Sequence, residues 1–402
     1  MIRSKMMFFI FSFLVMAMSC DESETNNSDG TEEENGVKDE IDPVISCPSN
    51  IEHMVKGSEQ AFVSFDPPVG TDDNDPVTKL VEGLPSGSTF PDGTTTNVYT
   101  VTDKAGNTSS CSFDITVIRD LEGLEEPFVI GGVDTGGKKW ERVDALSDEF
   151  NGTEFDDSKW WRDPEDDGFK WYGREPTLFR PENVSVGEGN MNVEVFKLEE
   201  PESKTIGGNL VSFDYGGCII RSQATAGPGQ FYETRMKANA TVLSSTFWIA
   251  FQQSCTEGPT RKLELDIQEC VGRVHSETET WALKWDNIFH SNTWRHARSC
   301  DVDEAQNSPA KTLLEEKNHS RYFVYGCWWK SPSEILFYLD GKLIHQITDP
   351  PADFDLSGHI TMAIETYDWN PMDDDNNLVI NGTLDQRTTK YDWVRTWKLV
   401  DE

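Results

Sequence analysis

Leu263-Glu264-Leu265-Asp266-Ile267-Gln268-Glu269 is the stretch that decides how this chain is read. Apolar and acidic residues alternate through its first five positions with the period of a β-strand. Leu263, Leu265 and Ile267 therefore share a core-facing side, and Glu264 and Asp266 share the other. Glu269 joins those two acids only if one extra residue bulges between Asp266 and Glu269. Like charges stacked along a strand repel and add nothing to folding, so their place beside an apolar face asks for a functional reason.

Outward from this strand, runs rich in β-branched and aromatic residues recur at Met191–Phe196, Phe231–Ala238, Ser245–Phe251, Arg321–Trp329, Ile335–Leu339, His359–Ile364 and Tyr391–Leu399. Helical periodicity is scarce. The expected fold of residues 140–402 is an all-β, two-sheet sandwich with a concave, grooved sheet. Residues 42–118 read as a separate small all-β module, with runs at Ala61–Phe65, Asn97–Val101 and Phe113–Val117 broken by Pro, Gly and Asp clusters. A Gly- and acid-rich linker, 119–139, joins the two.

Residues 1–20 carry Arg3 and Lys5, an apolar run from Met6 to Met18, and Ser19 before Cys20. This resembles a bacterial lipobox, although Ala17 stands where leucine is commoner. The resemblance implies lipid on Cys20 and attachment to the outer membrane or cell surface. Residues 21–41 are an acidic spacer with almost no large apolar side chain. The eight cysteines suit an exported protein. Cys47 and Cys111 bracket the small module as a disulfide; pairing among Cys218, Cys255, Cys270, Cys300 and Cys327 stays open. With 71 acidic against 35 basic residues and a formal charge of −36, nucleic acid is excluded as a partner.

Paired carboxyl groups suit glycoside hydrolysis with retention, which needs a nucleophile and an acid about 5–5.5 Å apart across the scissile bond. The charges of Glu264 and Asp266 should raise the proton affinity of Glu269, leaving it as the general acid, while Asp266 orients Glu264 through a shared hydrogen bond. A polysaccharide is the expected partner, and a monomer the expected state. The competing reading is a carbohydrate-binding or adhesion lipoprotein that does no chemistry.

Two resemblances extend this. Cys47-Pro48, then Tyr99-Thr-Val-Thr-Asp103-Lys-Ala-Gly106-Asn107 and Cys111-Ser-Phe113, resemble the hyalin repeat, which implies an immunoglobulin-like sandwich serving adhesion or spacing. Glu264-x-Asp266-x-x-Glu269 resembles glycoside hydrolase family 16 in its bulged form. Asp148-Glu-Phe-Asn-Gly152, Glu233-Thr-Arg-Met-Lys237, Ser244-Ser-Thr-Phe-Trp248 and Tyr391-Asp-Trp-Val-Arg395 carry the likeness across residues 140–402. The resemblance implies a jelly roll in which Glu264 is the nucleophile, Glu269 the acid/base and Asp266 the supporting acid. No cofactor is required; the resemblance allows a structural calcium on the convex face, with Asp392 at a ligand position.

Trp171-Tyr-Gly173-Arg174 upstream points within that family to enzymes on red-algal galactans, agarases and porphyranases, with carrageenan-type hydrolysis as a further alternative. Trp171, Trp248 and Trp281 are candidates to stack on sugar faces. Arg174, His290, Arg295 and Arg298 are expected on loops over the groove, where guanidinium groups would hold a sulfate or sugar hydroxyls. Glu365 is a candidate partner for a substrate hydroxyl. The strong negative charge argues for neutral agarose over a sulfated chain, while salt screening leaves porphyran open.

Overall fold

The computed structural model describes residues 39–252, 261–298, 300–372 and 377–401. The leader with Cys20, the spacer up to residue 38, and Cys255 lie outside the described residues.

Two twisted sheets face each other from residue 139 onward. One runs in the order Gln306–Asn307, Ile288–Arg295, Lys262–Val271, Ser244–Gln252, His359–Ile364, Asn209–Ser222, Thr177–Phe179 and Gly173–Arg174. The other runs Val184–Gly187, Asn190–Glu194, Thr388–Val400, Gln230–Lys237, Phe323–Ser331, Glu334–Leu339 and Lys342–Ile347. The alternation read from sequence is what joins them. Leu263, Leu265 and Ile267 point between the sheets into one core with Tyr232, Tyr325, Phe337 and Tyr391 of the opposite layer. Cys218, Cys270 and Cys327 are free thiols in that core, and burial pushes Cys270 up to about 12, so it packs as a small apolar group. Cys300 is disulfide-bonded.

The N-terminal module has a four-stranded sheet in the order Ile51–Lys56, Thr108–Asp120, Gly93–Thr102 and Val77–Glu82, and a two-stranded one of Phe62–Val63 and Ser88–Thr89. The Cys47–Cys111 disulfide forms, closing a separation of 64 residues. In the chain-entropy view such a closure is worth about 4 kcal/mol to a module with so small a core. The run expected at Ala61–Phe65 is strand only at Phe62–Val63.

Part of the linker packs on the sandwich. Phe128 is buried against Val324 and Trp393 on the outer face of the second sheet, and Val129 packs with Phe231, Trp328 and Trp397. Its backbone is bonded on both sides: Ile130 N donates to Gly341 O at 2.9 Å and Gly131 N to Ser58 O at 2.9 Å. Phe128 N donates to Glu233 Oε2 at 3.0 Å, and Trp397 Nε1 to Glu233 Oε1 at 2.8 Å. Burial pushes the Glu233 carboxyl up to about 7 against the opposing pull of Arg395 and these donors.

Candidate active site

The bulge lies where the carboxylates require it. On the Lys262–Val271 strand, Asp266 faces Trp248 and Gln268 faces Phe247, leaving Ile267 as the extra residue between two consecutive partners. Ile267 and Gln268 therefore both turn inward, and Glu269 returns to the side of Asp266 and Glu264. Backbone pairing to the Ile288–Arg295 strand runs from Leu263 opposite Arg295 to Asp266 opposite Asn292. Side chains take over beyond it. Ser291 Oγ donates to Ile267 O at 3.0 Å, Gln268 Nε2 donates to Ile288 O at 3.0 Å, and His290 N donates to Gln268 Oε1 at 3.0 Å. Burying Gln268 completely is thus compatible with its polarity, since both ends of the amide are paired.

The three acids have different surroundings. Glu264 Oε2 lies 3.2 Å from His296 Nε2, whose ring stacks on Trp294. Glu269 Oε1 accepts the Tyr367 hydroxyl at 3.0 Å, and its Oε2 lies 3.5 Å from His290 Nδ1. Burial and the Glu269 charge keep the Tyr367 hydroxyl far above its ordinary range, so it remains a donor. Asp266 is 1% exposed, and neither of its carboxyl oxygens has a hydrogen-bond donor among the described residues. Burial first, then the charges of Glu269 and Glu264, raise its proton affinity well above the ordinary carboxylate range. Of the three acids, Asp266 is the most deeply buried. Protonated, Asp266 can donate to Glu264, which replaces the repulsion of two adjacent carboxylates by a hydrogen bond.

A fourth carboxyl group enters from the next strand but one. Glu365 is 3% exposed, and burial raises it to about 8 even though Arg174 opposes the shift. Arg174 Nε is 3.2 Å from Glu365 Oε2 and its guanidinium lies 5.2 Å from the Tyr367 ring centre, yet Glu365 Oε2 has no aligned donor among the described residues. Arg174 reaches this place from a tight hairpin, in which it pairs with Thr177. Gly173 there has φ +120°, and a β-carbon would meet Thr177 O at 2.2 Å, so only glycine fits.

Trp171 and Trp248 come together, their rings 6.3 Å apart, in a patch with Phe169 and Phe179. The segment carrying Trp171 is fixed by a buried pair, Arg221 Nη1 being 3.5 Å from Asp167 Oδ2 while the guanidinium lies over Phe169 at 4.4 Å. The loop placement of His290 and Arg295 is corrected, because both belong to the Ile288–Arg295 strand. By the pleat, Arg295, opposite Leu263, points away from the carboxylates, and it pairs with Asp301 at 2.6 Å. Arg298 is half-buried past the strand end, its N–H bonded to Val302 O, and it acts on Asp301 together with Arg295. Arg174 likewise sits on a sheet edge. Asp392, the calcium candidate, pairs at 2.6 Å with Arg235, so its charge is already met by a cation of the chain. His296, Tyr367, Gln268 and Ser291 were not anticipated as site residues.

Comparison with known proteins agrees with this geometry. Residues 140–399 match the family model "Beta-porphyranase A-D, GH16 domain", and residues 38–117 match the HYR domain. Beta-porphyranase B of Zobellia galactanivorans is 39% identical over 269 residues, 66% of this chain and 86% of the relative. Beta-porphyranase C of the same organism is 36% identical over 303 residues, 70% of this chain and 84% of the relative. The crystal structure of porphyranase B from Zobellia galactanivorans superposes with a TM-score of 0.61 at 37% identity, covering 69% of this chain and all of that one. A bulged carboxylate strand in a two-sheet jelly roll, with a match running the length of that sandwich, makes this chain a member of glycoside hydrolase family 16, in its porphyranase A–D group, preceded by a HYR domain.

Proposed function

We propose that this glycoside hydrolase cleaves porphyran by an endo-acting, retaining double displacement. Glu264 attacks the anomeric carbon while Glu269 gives its proton to the glycosidic oxygen, so the leaving sugar departs as an alcohol. Glu269, now a carboxylate, takes a proton from water; the water oxygen displaces Glu264 and restores the β configuration. Asp266 holds a proton toward Glu264 and fixes the direction of attack. Tyr367 and His290 hold Glu269, and His296 holds the second oxygen of Glu264, so the two carboxylates are oriented independently. The observation that carries the reading is the bulge at Ile267, which turns Glu264, Asp266 and Glu269 to one face.

The preference for neutral agarose gives way to porphyran on two grounds. Relatives that are 39% and 36% identical to this chain over the matched residues are β-porphyranases. The Arg174 guanidinium, 3.2 Å from Glu365 Oε2 and 5.2 Å from the Tyr367 ring centre, offers a sugar sulfate a charge-assisted partner within the site. The net charge of −36 still repels sulfated chains at long range, but seawater salt confines that repulsion to about 3–5 Å.

Incubation with porphyran and with agarose, scored by new reducing ends, tests this. Release from porphyran should exceed release from agarose by about tenfold or more, a gap of the size one charge-assisted contact supplies. Equal or greater release from agarose returns the assignment to the neutral polymer, and release from neither favours a binding protein. We also propose that Cys20 is lipidated and tethers the enzyme to the membrane. Cys20→Ser should then shift the protein from the membrane to the soluble fraction; unchanged fractionation would exclude the tether.

A further inference from the structure

A second group of aromatic rings grows outward from Glu269. Tyr367, which donates to that carboxylate, stacks on Trp369 with ring centres 4.7 Å apart and planes 18° apart. Trp369 touches Trp285 at 4.8 Å and Trp281 at 5.1 Å, and Trp285 returns to His290 at 4.4 Å, next to the same carboxylate. Tyr367, Trp285 and His290 are buried, and Trp369 is half-buried. Trp281, at the outer end, is 56% exposed.

An indole left this open is usually free to find cover, and the local structure prevents it here. Trp281 sits on the single turn Thr280–Ala282, whose Ala282 is fully buried. Glu279 N donates to Trp369 O at 3.0 Å and Ala282 N to Glu279 O at 2.8 Å. The preceding residues are clamped by Asn370, whose Oδ1 accepts from His275 N and from Thr278 Oγ1 and whose Nδ2 donates to Val242 O and Arg273 O. Trp285 and Trp369 meet the indole at 85° and 58°, so neither stacks on it, and more than half of its surface stays open. A rigidly held ring with an open face is suited to the C–H side of a pyranose, with little ordering cost on binding.

Its position fixes which sugar. In a retaining mechanism the acid/base serves the leaving-group oxygen and the nucleophile serves the anomeric carbon. The Trp281 group is built on the acid/base: Tyr367 and His290 both contact Glu269. The Trp171–Trp248 patch is separate from it, since Trp248 lies opposite Asp266 on the neighbouring strand. We propose that Trp281 is the platform for the galactan residues on the leaving-group side of the cut. This rests on the retaining reading of Glu264 and Glu269.

The test compares porphyran oligosaccharides, which extend past the cut, with an aryl β-glycoside of the glycone portion, whose leaving group is a single aryl ring. For Trp281→Ala, the ratio of kcat/KM on the oligosaccharide to that on the aryl glycoside should fall about five- to thirtyfold. Transfer to an added oligosaccharide acceptor should fall by a similar factor. Trp281→Phe should recover most of both, and thermal melting should stay within about 2 °C because the indole is largely exposed. An unchanged ratio with unchanged transfer would overturn the assignment, as would an equal loss on both substrates, which would place the ring on the glycone side or in the framework. Failure of the underlying reading is visible separately, as absence of turnover or an inverted product from the unsubstituted enzyme.

Discussion

Gln268 Oε1 accepts the backbone N–H of His290 at 3.0 Å, so the residue after the bulge uses its side chain where the strand ladder would have used its main chain. The bulge turns Glu269 toward the cleft but interrupts the pairing that would hold it there. Gln268 and Ser291 restore that pairing from the core side.

Gln268→Leu keeps the volume and removes both bonds. Leaving His290 N without its partner should cost about 1–3 kcal/mol of stability, while Ile288 O keeps the bond from Asn318 Nδ2. With Glu269 no longer held in register, kcat should fall by roughly 10–100-fold while KM changes little. Denaturant unfolding and steady-state kinetics read the two effects. An unchanged kcat would show that the strand holds its course without the amide.

Glu264→Ser removes the nucleophile and leaves the cleft walls intact. Turnover should drop by on the order of 10⁴ or more while oligosaccharide binding persists. In the unsubstituted enzyme, NMR of fresh product should show the β anomer first. Initial appearance of the α anomer is incompatible with double displacement.

Glu365 makes stability depend on pH in a defined direction. Its folded value, about 8, stands above the 4.5 of the unfolded chain, so between these values the folded state holds the extra proton. Stability therefore falls as pH rises from about 4.5 toward 8. Glu365→Gln abolishes this contribution, so the variant's melting temperature should decline less steeply between pH 5 and 8, by several degrees over the interval. Asp266 acts with the same sign in both proteins and does not confound the difference. Parallel curves for the two would mean that Glu365 is already ionised at pH 5.

Phe128→Ala tests whether the connector belongs to the sandwich. The ring is buried against Val324 and Trp393, and its loss should cost about 3–5 kcal/mol, seen as a lower denaturant midpoint. The backbone N–H that bonds Glu233 survives the substitution, so the measurement isolates packing. Activity at 25 °C should hold, since the contact is on the sheet facing away from the carboxylates. An unmoved midpoint would return the segment to the status of a loose tether.

The strand, its bulge and its acids were legible because all of them are written in one local pattern of period two. His296 and Tyr367 were not, since they meet Glu264 and Glu269 from 32 and 98 residues away with no spacing rule to announce them. Arg295 was misplaced for a different reason. Polar residues in Phe289–Arg298 suggested a loop, but Asn292 and Trp294 face the cleft, and the intervening Thr293 and Arg295 turn the other way. In the connector, glycines and acids masked Phe128 and Val129, whose burial depends on a surface made by strands far along the chain.

The bonds that clamp residues 128–131 between the two modules also have a mechanical meaning. Tension applied through the small N-terminal module meets Ser58–Gly131, Ile130–Gly341 and Phe128–Glu233 before it meets any slack. A pull on the small module is therefore passed to the sandwich without the play that a loose chain would allow.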